Sequence, residues 1–93
     1  MNEALEILKA NKDVLFRKYP LTSMALFGSY SRGDNTASSD VDIMVELNIP
    51  DASAFIALGY ELEEMFKKKV DVVSKNGLKE RYMRAIEKDL QYV

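Results

Sequence analysis

Asp40-Val41-Asp42 opens a run to Leu47 in which side chains alternate, with Val41, Ile43 and Val45 on one face and Asp42, Met44 and Glu46 on the other. That period of two describes a half-buried extended strand, and it puts Asp40 and Asp42 on the same face with alpha carbons roughly 6.6–7 Å apart. Two carboxylates so placed repel each other. A bland surface strand gains nothing from the repulsion, whereas divalent cations relieve it, magnesium taking oxygen ligands at about 2.0–2.1 Å. Asp71 has the same relation to a second short run, Val70 to Ser74, where Val70 and Val72 turn one way and Asp71 the other. If the two strands are parallel neighbours joined by the helix between them, a crossover covers one face and leaves the carboxylates on the other. Asp40, Asp42 and Asp71 then form a two-metal site. Two such ions, about 3.5–4 Å apart, suit an in-line phosphoryl displacement.

The remaining patterns supply a frame for these strands. Asn2 to Tyr19 places Leu5, Ile7, Leu8 and Leu15 among lysines and glutamates as an amphipathic helix closed by Pro20. Leu21 to Phe27 is a buried strand that leaves sharply at Gly28. Ser29 to Ser39 has loop composition with room for one helical turn. Asn48-Ile49-Pro50 ends the second strand, Ser53 is the expected cap of a helix with Phe55, Leu58, Leu62, Met65 and Phe66 in a stripe, and Lys67-Lys68-Lys69 ends that helix. Asn76-Gly77 reads as a turn, and Leu78, Tyr82, Ile86 and Leu90 recur every four residues along a last helix. The expected fold is therefore of the α/β (α+β) class: a three-stranded mixed sheet of order 1-2-3, the first two strands antiparallel, with about four helices. Residues 1–93 suit one small domain.

Composition narrows the chemistry. Without cysteine or histidine, thiolate metal sites, thiol nucleophiles and imidazole bases are excluded, so any catalysis rests on carboxylates and cations. A net charge of -2 argues against non-specific nucleic-acid binding. No apolar run approaches the ~20 residues of a membrane span, and the acidic, amphipathic start lacks the features of a secretory signal. A cytosolic, soluble protein is expected.

The phosphate side of the site falls to Phe27-Gly28-Ser29-Tyr30-Ser31-Arg32-Gly33. Gly28 lets backbone approach a triphosphate, the following amides and the Ser29 hydroxyl can donate to it with the dipole of a helical turn, and Arg32 can add a cation. Each signal has a plain alternative. Gly-Ser is an ordinary turn, Ser39 and Asp40 can bond local backbone, and Asp71 can serve a helix-to-strand turn. Arg32 can pair with Asp34, the lysines can complement a helix end, and Tyr30 can either stack on a base or cover the sheet edge.

Gly28-Ser29, ten residues, then Asp40-Val41-Asp42, with Leu26-Phe27, Arg32-Gly33, Ser39 and Val45 around them and Val70-Asp71-Val72-Val73 beyond, resembles the DNA polymerase beta-like nucleotidyltransferase superfamily, and within it the minimal nucleotidyltransferases of prokaryotes. The resemblance implies a palm-like fold, with Asp40 and Asp42 as shared metal ligands, Asp71 as ligand and base for the attacking hydroxyl, and Gly28 and Ser29 on the triphosphate. It implies Mg2+, two ions, and ATP as substrate. Such members often accompany a HEPN-domain ribonuclease toxin, which they neutralise by adding AMP to a tyrosine. The expected function is that of an antitoxin adenylyltransferase; stoichiometric masking of the toxin and transfer to a small molecule are the alternatives. The acceptor is expected to be held by a partner surface or an oligomer, at Tyr30 and the loop to Asn35 with Tyr82, Tyr92 and Val93 of the final helix, although Tyr82 and Val93 can instead complete the core.

Overall fold

In the computed structural model, which describes residues Asn2 to Val93, the order is α1 (Glu3–Lys18), β1 (Leu21–Phe27), α2 (Ser29–Arg32), β2 (Val41–Leu47), α3 (Ala52–Phe66), β3 (Val70–Ser74), a 3₁₀ turn (Lys75–Gly77), α4 (Glu80–Ile86), a second 3₁₀ turn (Glu87–Asp89) and β4 (Gln91–Tyr92). The sheet runs β3-β2-β1-β4. β1 and β2 are antiparallel, while β2 and β3 are parallel and connected through α3. The expected order 1-2-3 is thus kept, and a fourth strand is added beyond β1.

Alternation in the strands sorts side chains to two apolar layers. Met24, Leu26, Val41, Ile43, Val45 and Val70 meet Leu8 and Leu15 of α1 and Leu58 and Leu62 of α3 in the main core. Ala25, Phe27 and Met44 face the other way, where Val73, Leu78, Met83, Ile86 and Leu90 cover them. The C-terminal segment therefore closes much of the second face, which the sequence pattern leaves open.

Two local readings are corrected. The continuous last helix stops at Ile86, and Leu90 follows a 3₁₀ turn. A four-residue apolar spacing fits that broken path as well as a helix, because Leu78, Ile86 and Leu90 still reach one cluster; the inward residue beside them is Met83, and Tyr82 is exposed. The chain then extends beside β1, pairing Tyr92 with Ala25 and Gln91 with Leu26. The cap of α3 is Asp51 rather than Ser53: the Asp51 carboxylate accepts from Ala54 N–H at 3.1 Å, satisfying one of the helix's unpaired amides. At the other end Lys67 takes a left-handed conformation with φ of 56°, which turns the chain from α3 toward β3.

Asp51→Ala is accordingly expected to lower stability by about 1 kcal/mol, and Ser53→Ala to change it by less than about 0.5 kcal/mol. Urea unfolding of the two variants checks this; the reverse ranking would return the cap to Ser53.

Candidate active site

Strand register assembles the site. Phe27 pairs with Asp42 across the antiparallel ladder, and Asp42 pairs with Asp71 across the parallel one. Asp40 directly precedes β2, Lys69 directly precedes β3, and Val41 N–H donates to the Lys69 carbonyl at 3.1 Å, so the two strand entrances lie side by side. The sequence pattern foresees this gathering of Asp40, Asp42 and Asp71.

Gly28, one residue past Phe27, is the tightest point. Its φ of +74° and ψ of -157° belong to backbone that only glycine adopts easily. A Cβ placed there would collide with Asp42 Oδ2. Gly28 is therefore required twice, by conformation and by the approach of the carboxylate. From it the chain enters the single turn α2, whose Ser31 and Arg32 amides donate to the Gly28 carbonyl at 3.0 and 3.1 Å, and Gly33, at φ +87°, ends it. Ser29 thus begins a turn that starts against Asp42.

Charge in the cluster is unbalanced. The Asp42 carboxyl titrates above the ordinary value of 3.8, chiefly because burial strips water from it, then because Asp71 and Asp40 oppose a further negative charge; Arg32 acts weakly the other way. Lys69 Nζ lies 3.8 Å from Asp40 Oδ2 and 4.0 Å from Asp71 Oδ1. Among the described residues no three acidic side chains form a ready-made cation cage. The donors are nevertheless hard oxygens under mutual repulsion, which suits magnesium. That ion is commonly held by one or two carboxylates with substrate phosphates completing its shell, so a closed protein cage is not needed.

Arg32 is placed differently from the expectation of a phosphate cation. Its guanidinium contacts Asp34 Oδ2 at 3.0 Å and Asp89 Oδ2 at 2.9 Å, tying α2 to the C-terminal segment. Ser31 Oγ donates to the Asp89 carbonyl, and Gln91 Nε2 donates to the Ser31 carbonyl and hydroxyl. From the other side Asn2 Nδ2 donates to the Tyr30 carbonyl at 2.8 Å. The phosphate-loop candidate is thereby fixed by both ends of the described chain.

Sequence reasoning missed the lysines. Lys68 Nζ donates to the Tyr30 hydroxyl and to the Ala37 carbonyl, and its ammonium stands 5.0 Å from the Tyr30 ring centre. Lys69, spaced from Asp71 as Asp40 is from Asp42, carried the available signal: extended residues two apart share a face. Tyr30 is half-buried on the main core, so it braces the turn rather than offering a free ring. Val93 also packs there, whereas Tyr82 and Tyr92 stay exposed; Tyr92 and Val93 follow the last helix and do not belong to it. A cleft of about 560 Å³ opens beside α2, lined by Asn2, Tyr30, Arg32, Gln91 and their neighbours, but by none of the three aspartates. The register, rather than this cleft, defines the site.

The model of the nucleotidyltransferase domain matches residues 7–93. A chain from Methanocaldococcus jannaschii is 43% identical over 97 residues, covering 100% of this chain and 97% of its own length. Protein adenylyltransferase MntA of Thermococcus cleftensis is 35% identical over 94 residues, covering 100% and 95%. Among solved structures, a toxin-antitoxin crystal structure with AMP-PNP superposes with a TM-score of 0.75 at 25% identity, over 90% of this chain and 70% of the other. A complex of tri-AMPylated Shewanella oneidensis HEPN toxin with MNT antitoxin, at 22% identity and a TM-score of 0.68 over 94% and 69% of the two chains, shares the fold. A domain match across nearly the whole sequence and relatives aligned end to end at this identity place the chain in the nucleotidyltransferase domain family, with the minimal nucleotidyltransferases.

Proposed function

We propose that this nucleotidyltransferase uses ATP to adenylylate a tyrosine hydroxyl of a partner HEPN-domain toxin and so acts as its antitoxin. The observation that carries the reading is the grouping of Gly28, Asp42 and Asp71, in which a glycine at the end of β1 abuts the Asp42 carboxylate and Asp42 is in register with Asp71 on the adjacent strand. The relatives' protein adenylyltransferase name and the neighbouring toxin-antitoxin complexes support the choice of acceptor.

In this mechanism Asp40, Asp42 and Asp71 would hold magnesium, two ions, which supply charge neutralisation at the phosphates and lower the pKa of the attacking hydroxyl. Gly28 brings backbone within reach of the triphosphate, and the Ser29 hydroxyl donates to a phosphate oxygen. Asp71, the most exposed of the three carboxylates, would accept the proton of an incoming tyrosine hydroxyl. The tyrosine oxygen forms its bond to the alpha-phosphorus as the bond to the bridging oxygen breaks, giving the tyrosyl-AMP ester and pyrophosphate. Arg32, engaged with Asp34 and Asp89, holds the loop that carries Ser29. The carboxylates lie at an open strand end, so the partner must orient the hydroxyl, and the exposed loop to Asn35 and exposed Tyr82 and Tyr92 are the remaining candidates for its contact.

Incubation with the partner and ATP labelled on the alpha-phosphate should label the partner, and chelation of divalent ions should stop it. Neutralisation of the toxin without label would replace transfer by stoichiometric masking; label only on small acceptors would replace the protein substrate.

Asp42→Asn should reduce transfer by at least about 100-fold, as loss of a principal electrostatic group does. Its stability carries an independent sign. Because the folded Asp42 pKa is raised, the native state binds more protons than the unfolded one between the ordinary and the raised value, and stability falls as pH rises through that window. Asp42→Asn removes this fall. It should melt above the parent at pH 7, with the difference fading as pH falls through that window toward the ordinary value of 3.8; a variant that melts lower at pH 7 would contradict the electrostatic account.

Gly28→Ala should abolish transfer and also destabilise the chain by about 1–3 kcal/mol, from positive φ and the displaced carboxylate. Ser29→Ala, in contrast, should weaken ATP use by about 1.5–3 kcal/mol, a hydrogen bond to a charged group, with an unaltered unfolding midpoint. Calorimetric titration with a non-hydrolysable ATP analogue and thermal melting separate the two effects.

A further inference from the structure

Lys69 is the one described cation whose ammonium is shared between two of the three site carboxylates, Asp40 at 3.8 Å and Asp71 at 4.0 Å. Both distances exceed the roughly 2.7–2.9 Å of a charge-assisted hydrogen bond. The hold is therefore Coulombic and loose, and the side chain is 67% exposed, so releasing it costs little. Its neighbours show that the placement is local. Lys67, in its left-handed conformation, makes no ion pair among the described residues; Lys68 turns to Tyr30 and Ala37; only Lys69 turns to the aspartates. A divalent ion held by Asp40 and Asp71 would draw on the carboxylates that Lys69 faces and would meet a like charge there.

We propose that Lys69 is the resident counter-cation of the carboxylate cluster: its ammonium holds Asp40 and Asp71 when no divalent ion does, and it must give them up when one binds. Lys69 is a positioning residue in this scheme. It keeps two carboxylates near their working places while limiting the affinity of the free protein for metal, so that the ion is held well only when triphosphate oxygens arrive with it. The inference rests on the reading of Asp40 and Asp71 as metal ligands.

Isothermal titration of the metal-stripped full chain with Mn2+, without nucleotide, tests it. Lys69→Met should bind Mn2+ about fivefold more tightly, the effect of removing one competing charge at about 4 Å in a largely solvated site. Lys69→Arg, which keeps the charge, should stay within about twofold of the parent, as should Lys67→Met, which removes the same charge two residues away. Unchanged or weaker binding by Lys69→Met overturns the proposal, and so does equal tightening by Lys67→Met, which would reduce the effect to the general field. Lys69→Gln is titrated beside Lys69→Met, so that a folding defect in one, seen by circular dichroism, still leaves a folded neutral variant to read. Asp42→Asn separates the two levels: weakened Mn2+ binding there with none of the Lys69 effect removes the exchange and leaves the metal site, whereas absence of Mn2+ uptake by the parent, with and without AMP-PNP, overturns both.

Discussion

Everything in the site depends on the pairing of β2 with both of its neighbours. β2 contributes Val41, Ile43 and Val45 to the main core and aligns Asp42 with Phe27 on one side and Asp71 on the other. Because side chains alternate, sliding β3 by one residue would turn Asp71 toward the main core and a valine away from it. The apolar halves of these strands hold the carboxylates at their stations. Stabilisation from burial is thus converted into a fixed array of like charges that would otherwise spread apart.

That conversion explains which parts were legible in the sequence. Period-two alternation in Val41–Leu47 and Val70–Ser74, with Gly28 ending Leu21–Phe27, implies the antiparallel and parallel pairs found, and the spacing of Asp40, Asp42 and Asp71 locates the carboxylates. The C-terminal segment was harder. Its apolar residues at intervals of four satisfy the same cluster whether the backbone is one helix or two short turns, so the pattern does not fix the path. What decides it lies far away in the chain, in Ser31 and Arg32, which draw in Asp89 and Gln91. The two-residue β4 is too short to show any period. Asp51 and Ser53 both suit a cap by residue type, and the choice depends on where the chain leaves Pro50.

The cations show a related division. Arg32 lies in the phosphate-loop motif, yet its two nearest carboxylates, on Asp34 and Asp89, engage it in structure. Lys68 and Lys69 look like a helix end but reach the loop and the aspartates in turn, where the chain turns from α3 through left-handed Lys67 toward β3. The motif singles out the acids, which the strand register brings together. It could not identify the bases, whose long side chains choose among several partners.

The tether between Gln91 and Ser31 spans 60 positions of chain. A loop acquires order last when the contacts that fix it are the most distant in sequence, since closing a long segment costs entropy before any bond rewards it. Helix α1 and the β1–β2 pair can form from local contacts, but the turn bearing Ser29 receives its final restraints only when the closing strand docks on β1. During synthesis from the amino terminus, the nascent protein would therefore hold its strand-borne carboxylates well before the turn bearing Ser29 was fully restrained, and the finished form of that turn would appear as a late event of maturation.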